Sequence, residues 1–160
     1  GYKCNMTDLQ AALGLSQLAR YPQLIARRHE ILAIYRSELA DLPVAFMPHA
    51  DHPESGEGGF TSSAHLAVTR LTGKSSAFRN ALIERMAERG VATNVHYKPL
   101  PLLTAYRDLG FDIADFPNAS AQFENELTLP LHTLLTDDDA RYVARTLASC
   151  YRALEEEGVA

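Results

Sequence analysis

The stretch VATNVHYKP, residues 91–99, gathers the side chains in this sequence best suited to chemistry. His96 carries an imidazole that titrates near neutral pH, with Asn94 and Lys98 two residues to either side. In an extended chain successive side chains point to opposite faces. Ala92, Asn94, His96 and Lys98 then share one face, and Val91, Thr93, Val95 and Tyr97 share the other. The second set is β-branched and aromatic, the first mostly polar, and Pro99 and Pro101 end the run. A face of this kind can meet a polar ligand; composition alone describes a solvated strand surface equally well.

Other candidates are weaker. His65 shares a strand face with Ala67 and Thr69 and reads as structural, while His132 after LTLPL either lines a cleft or caps a strand. Ser62 and Ser63 lack a GxSxG elbow, and Gly58-Gly59 has neither a GxGxxG pattern nor a P-loop lysine. His49, Asp51, His52 and Glu54 lie in a Pro/Gly-rich stretch without the rigid geometry a metal site needs. Asp137 to Asp139 read as helix N-terminal charge. The lysines are Lys3, Lys74 and Lys98. A Schiff-base lysine needs a desolvated pocket; Lys74, in a GKSS turn, reads as exposed, and none of the three sits in a recognisable pocket. The residues alone give no complete catalytic set.

At 160 residues, 46% hydrophobic and 22% charged, the chain has the size and composition of one globular domain. A net charge of -5 and the lack of a basic tract argue against nucleic acid as a partner. Cys4 and Cys150 stand far apart with no CxxC, which fits a reduced, cytoplasmic compartment better than a disulfide or zinc framework. No apolar run approaches the roughly 18 residues of a membrane span, and no signal-peptide pattern opens the chain.

The elements that must position these side chains follow from periodicity. Thr7-Asp8-Leu9-Gln10 has the form of a capping box, and Leu9, Leu13 and Leu18 then recur at helical spacing. Pro22 predicts a break, and Ile25, Ile31, Leu32, Tyr35, Leu39 and Leu42 continue the stripe, giving a long broken helix over 7–42. Residues 43–59 read as a linker. Strands are predicted over 64–71, 91–98 and 127–131, and helices over 74–89, 102–109 and 118–125. A last helix starts at the Thr136 cap. The fold class is α+β: a small antiparallel three-stranded sheet covered by helices and preceded by the long helix. That helix has more apolar surface than so small a sheet can bury.

Several segments carry a family resemblance in a fixed order: GYKCNMTDLQAALGLSQL, SSAHLAVTRL, ERGVATNVHYKPLPLLTAYRDLGF, DFPNA and LTLPLHTLLTDDD. Together they resemble the C-terminal part of the pyridoxal-phosphate-dependent nucleotide-sugar aminotransferases, the DegT/DnrJ/StrS group of fold-type I. The resemblance implies that residues 1–160 form a single C-terminal small domain: interdomain helices over 1–42, a linker over 43–59 and an α+β core over 60–160. It places the large domain, with the cofactor aspartate and the Schiff-base lysine, upstream. The implied activity is transfer of an amino group, usually from glutamate, to a keto group of a nucleotide-linked sugar. Pyridoxal 5'-phosphate is the implied cofactor, and the assembly a cytoplasmic homodimer. This chain alone, without the lysine, is expected to be inactive.

Residue by residue, the resemblance implies that Lys3 and Asn5 reach the cofactor phosphate of a partner subunit, where relatives carry a GYNYR pattern. It assigns His96, Tyr97 and Lys98 to the sugar-nucleotide site, with Pro101 standing where relatives often have another histidine. Two other readings fit the same residues: a sugar dehydratase of the same superfamily, with a histidine replacing the upstream lysine, and a stand-alone α+β interaction module.

Overall fold

The computed structural model describes residues 4–48 and 60–159. Lys3 and the His49, Asp51, His52, Glu54 group lie outside the described residues.

Helix α1 (Asp8–Glu38) starts at the predicted capping box, with the Gln10 N–H donating to Thr7 Oγ1 at 3.3 Å and the Thr7 N–H donating to Gln10 Oε1 at 2.9 Å. It is not broken at Pro22: the helix continues for 31 residues. Proline removes one amide from the ladder, the one that would bond the Leu18 carbonyl. Both residues are exposed, so solvent can replace that bond. The apolar stripe divides instead by burial. Leu9, Leu13 and Leu18 are 74%, 62% and 64% exposed, whereas Ile31, Leu32, Tyr35 and, just past the helix, Leu39 are buried in the core.

The sheet has the order β1-β2-β3 and is antiparallel throughout, as expected, but one of its strands is not the expected one. β1 (Val44–Phe46) comes from the stretch read as a linker, and pairs Val44 with Leu71 of β2 (Ala67–Leu71). Three residues are too few to show a period, and Pro43 masks their start. β2 pairs on its other side with β3 (Glu126–Leu129), matching Ala67 to Leu129 and Arg70 to Glu126. Ala67, Thr69 and Leu71 of β2 are buried and the residues between them half-buried, the period-two signature of a one-sided sheet. The predicted strand over 91–98 supplies only one bridge, Asn94 to Thr128. It runs as an arm along the outer edge of β3, where it shields backbone groups that an edge strand would leave open.

Helix α2 (Ser76–Glu88) is capped by Ser75 and buries Phe78, Leu82 and Met86; Gly90 ends the turn after it at φ +74, a conformation side chains disfavour. Two short helices, α3 (Thr104–Arg107) and α4 (Pro117–Asn125), follow the arm in the chain, and α4 packs against α2. Helix α5 (Asp137–Glu156) buries Ala140, Val143, Leu147, Cys150, Tyr151 and Leu154. The second half of α1 joins α2, α5 and the sheet in one hydrophobic cluster, so residues read as an interdomain helix are part of the core. Polar links fasten it there as well. The Tyr35 hydroxyl donates to the Pro130 carbonyl at 2.6 Å, and Arg27 pairs with Asp137 at 2.8 Å. Phe78 meets Tyr151 edge-on at 4.9 Å between centroids. Among the described residues, no helix is long and apolar enough to cross a membrane.

Candidate functional site

The arm is anchored at Asn94. Its N–H donates to the Thr128 carbonyl at 3.2 Å, and the Thr128 N–H donates back to the Asn94 carbonyl at 2.8 Å. Val91 is buried, Thr93 and Val95 half-buried, and Ala92 and Asn94 exposed, as the alternation predicts. The alternation then reverses: His96 is half-buried and Tyr97 is 70% exposed, across a cis peptide bond. The His96 and Tyr97 rings do not project to opposite faces of a strand. They stand edge-to-face with centroids 4.7 Å apart, and Lys98 follows, exposed, at the outer end of the arm.

His96 forms the wall between two small hollows. One, of about 200 Å³, is lined by His65, Ala92, Asn94, His96 and the Leu129–Leu131 segment. The other, of about 180 Å³, is lined by His96, Tyr97, Gln122, Phe123 and Glu126. Nδ1 of His96 is buried without a hydrogen-bond partner among the described residues. At the base of the second hollow lies Glu126, only 1% exposed. Burial pushes its carboxyl pKa upward, and hydrogen bonds from Thr128 and the His96 N–H, with the nearby Arg79 charge, oppose that rise.

The structure redistributes the sequence candidates. His96, Tyr97 and Lys98 follow one another where the arm leaves β3. His65 is not structural: β2 begins only at Ala67, so His65 sits ahead of the strand, exposed, and lines the first hollow with Asn94 and His96. Glu126 was missed because the predicted strand began at Leu127, which left the acid as a loop residue. A buried-strand run that opens on an acidic residue was the available signal. Asn5 is exposed ahead of α1 and shares no hydrogen bond or hollow with the arm among the described residues. His132 is exposed.

Lys74 is less exposed than its turn suggested. Its ammonium lies 2.9 Å from Glu155 and 4.5 Å from the Phe78 ring centroid, and the hydrogen bond to Glu155 raises its pKa. That environment keeps the lysine protonated, the opposite of what imine formation requires. Lys98, in solvent, is no better placed.

The DegT/DnrJ/EryC1/StrS aminotransferase family model matches residues 1–148. Among solved structures, the chain is 46% identical to Spr1654 of Streptococcus pneumoniae, described as a sugar aminotransferase and solved in its PMP form. That similarity has a TM-score of 0.89 and covers 99% of this chain and 38% of the other. PseC of Helicobacter pylori, an aminotransferase involved in the biosynthesis of pseudoaminic acid, is 26% identical with a TM-score of 0.77, over 96% of this chain and 39% of that one. The spore coat polysaccharide biosynthesis protein SpsC of Bacillus subtilis is 35% identical over 142 residues, which is 87% of this chain and 35% of SpsC. The chain thus spans about a third of the length of the curated relatives it matches. With the family's segments present in order and its relatives' fold reproduced from α1 to α5, the chain belongs to the DegT/DnrJ/EryC1/StrS aminotransferase family.

Proposed function

We propose that residues 1–160 are the C-terminal small domain of a cytoplasmic, homodimeric, pyridoxal-phosphate-dependent aminotransferase. It transfers an amino group from glutamate to a keto group of a nucleotide-linked sugar, in surface polysaccharide or related sugar biosynthesis. The observation that carries this reading is the arm. In a chain of this family, it presents His96, Tyr97 and Lys98 in succession, with His96 lining both of two small hollows and Tyr97 one of them. In that role the exposed Lys98 ammonium meets the diphosphate, the Tyr97 ring offers a face for stacking, and the His96 imidazole hydrogen-bonds the sugar.

The described residues do not by themselves fit the cofactor. Lys74 is held protonated by Glu155 and Lys98 lies in solvent, so neither is the imine lysine; at most Asn5, with Lys3 ahead of it, donates to a phosphate. The cofactor, which supplies the electron sink for amine transfer, belongs in this reading to a large domain outside these residues. The isolated chain is accordingly inactive. The exposed first half of α1 is the surface that packs on that domain.

The test uses the full-length protein that carries this chain. Glutamate should bleach the near-visible absorbance of the bound cofactor, and a nucleotide keto-sugar should restore it with release of an amino sugar. Lys98→Ala should raise KM for the nucleotide sugar about tenfold, the value of one charge-assisted contact, and leave KM for glutamate unchanged. An absorbance that persists when glutamate is added alone, before any keto-sugar, overturns the transamination.

A further inference from the structure

The arm departs from β3 at a definite point, and a side chain replaces the missing backbone partner there. In an antiparallel ladder, residue pairs that exchange both N–H···O=C bonds recur every second residue. Asn94 and Thr128 are such a pair, so the next is His96 with Glu126. That pair does not form through the backbone. The His96 N–H instead donates to the Glu126 side chain, at 2.8 Å from Oε2. The other carboxylate oxygen, Oε1, accepts from the Thr128 hydroxyl on the same face of β3. Both oxygens are occupied within the protein and the residue is 1% exposed. Arg79, itself 5% exposed and bonded to the Phe123 carbonyl, supplies a favourable charge nearby.

A buried carboxylate is costly, and one that only completed a sheet edge would be redundant, because the Glu126 backbone carbonyl could accept the same proton. What the side chain adds is reach. It holds the His96 backbone a carboxylate's length away from the strand, and the second hollow lies in the space so opened, with Glu126 at its base.

We propose that Glu126 is a positioning residue for the nucleotide-sugar site. It ends the ladder at Asn94 and fixes the His96–Lys98 turn in the geometry that lets His96 divide the two hollows. The positioning follows from the hydrogen bonds alone; its consequence for sugar binding rests on the function proposed above for His96.

Two readouts on the full-length protein separate these claims. In Glu126→Ala, amide hydrogen exchange across residues 94–98 should accelerate about tenfold or more, as loss of a charge-assisted hydrogen bond implies. KM for the nucleotide sugar should rise with it, and KM for glutamate should not. Glu126→Gln should restore both. Its amide oxygen can still accept from the His96 N–H, and its amide nitrogen can donate to Thr128 Oγ1. Should the alanine variant lose its melting transition, Glu126→Asp takes its place, with the carboxylate kept but one methylene short of the His96 N–H. Exchange at the wild-type rate in the variant measured overturns the positioning. So does a glutamine variant as fast-exchanging as alanine in a protein that still melts cooperatively. Accelerated exchange with an unchanged sugar KM leaves the positioning standing and overturns the sugar-site role of His96.

Discussion

The two halves of α1 share one sequence style and two environments. Leucines recur at helical spacing from Leu9 to Leu39, yet those before Pro22 are mostly in solvent while Ile31, Leu32, Tyr35 and Leu39 are almost wholly buried. The second half is packed on α5 and the sheet. The first half has a cap and helix propensity but none of that packing, and isolated helical segments of such length are marginal in water. The same pattern therefore signals a core in one place and an unmet surface in the other, and the sequence period cannot tell them apart.

The comparison breaks most sharply if matched leucines behave alike. Leu32→Ala removes a side chain 1% exposed and should cost about 2–5 kcal/mol in urea unfolding of the chain, transfer and cavity terms together. Leu13→Ala, at 62% exposure, should stay within about 0.5 kcal/mol. What Leu13→Gln should change is association. A helix segment with Leu9, Leu13 and Leu18 exposed should draw copies of the isolated chain together, and light scattering should show the glutamine variant less associated. A Leu13→Ala loss as large as that of Leu32→Ala would make α1 one cooperative unit and end the distinction.

A smaller effect sharpens how the buried half is held. The Tyr35 hydroxyl donates to the Pro130 carbonyl at 2.6 Å, linking α1 to the end of β3. Burial pushes the Tyr35 pKa upward, so the group stays a neutral donor across the usual pH range. Tyr35→Phe should cost about 1–3 kcal/mol, the penalty for a buried carbonyl left without its donor. An unchanged urea midpoint would mean that α1 is seated by shape alone.

The fold class was legible because its strongest signals are long: the caps at Thr7 and Thr136, the stripe of α2 and the alternation of β2. What escaped was short or relational. β1 is three residues between Pro43 and Met47, and only its partner β2 makes it a strand. Residues 91–98 carry β-strand composition, yet pairing ends at Asn94, because a side chain of β3 takes the next amide. His96, Tyr97 and Lys98 are candidates through their motif alone. His65 and Glu126 join them through tertiary placement, one by lying just outside a strand and the other by opening one. Alternation reports which residues face apolar matter; it carries no information on which partner holds the backbone.

Acid titration tests how far the core extends toward the site. The folded-state pKa of Glu126 lies above the usual 4.5, chiefly through burial. The sign follows directly: the contribution of this group to stability is full below the unfolded-state pKa and is lost as pH rises through the raised folded value. Glu126→Gln cannot titrate. Its urea midpoint should vary less than wild type between pH 4 and neutrality, and the difference should favour glutamine at the upper end. Equal pH profiles would show that the carboxylate is solvated after all.

The finest test uses the same chemistry in both environments. Thr7 with Gln10 and Thr136 with Asp139 form equivalent capping boxes, each with the hydroxyl accepting an N–H and the third residue returning to the cap. Removing a threonine cap costs about 1 kcal/mol of helix stability wherever it lies. In α5 the first turns carry Ala140 and Val143 into the core, so Thr136→Ala should lower global stability by about that amount. In α1 the first turns touch no core residue, so Thr7→Ala should fray the helix start without moving the urea midpoint. Faster amide exchange should then be confined to residues 8–13. Acid distinguishes the boxes again. Hydrogen bonds from the Thr136 hydroxyl and N–H hold the Asp139 pKa below its usual value, so that cap is lost as pH falls through the lowered pKa. Gln10 does not titrate. A global loss from Thr7→Ala in the isolated chain would place the first half of α1 inside the folding unit, and the exposed leucines would then need a different explanation.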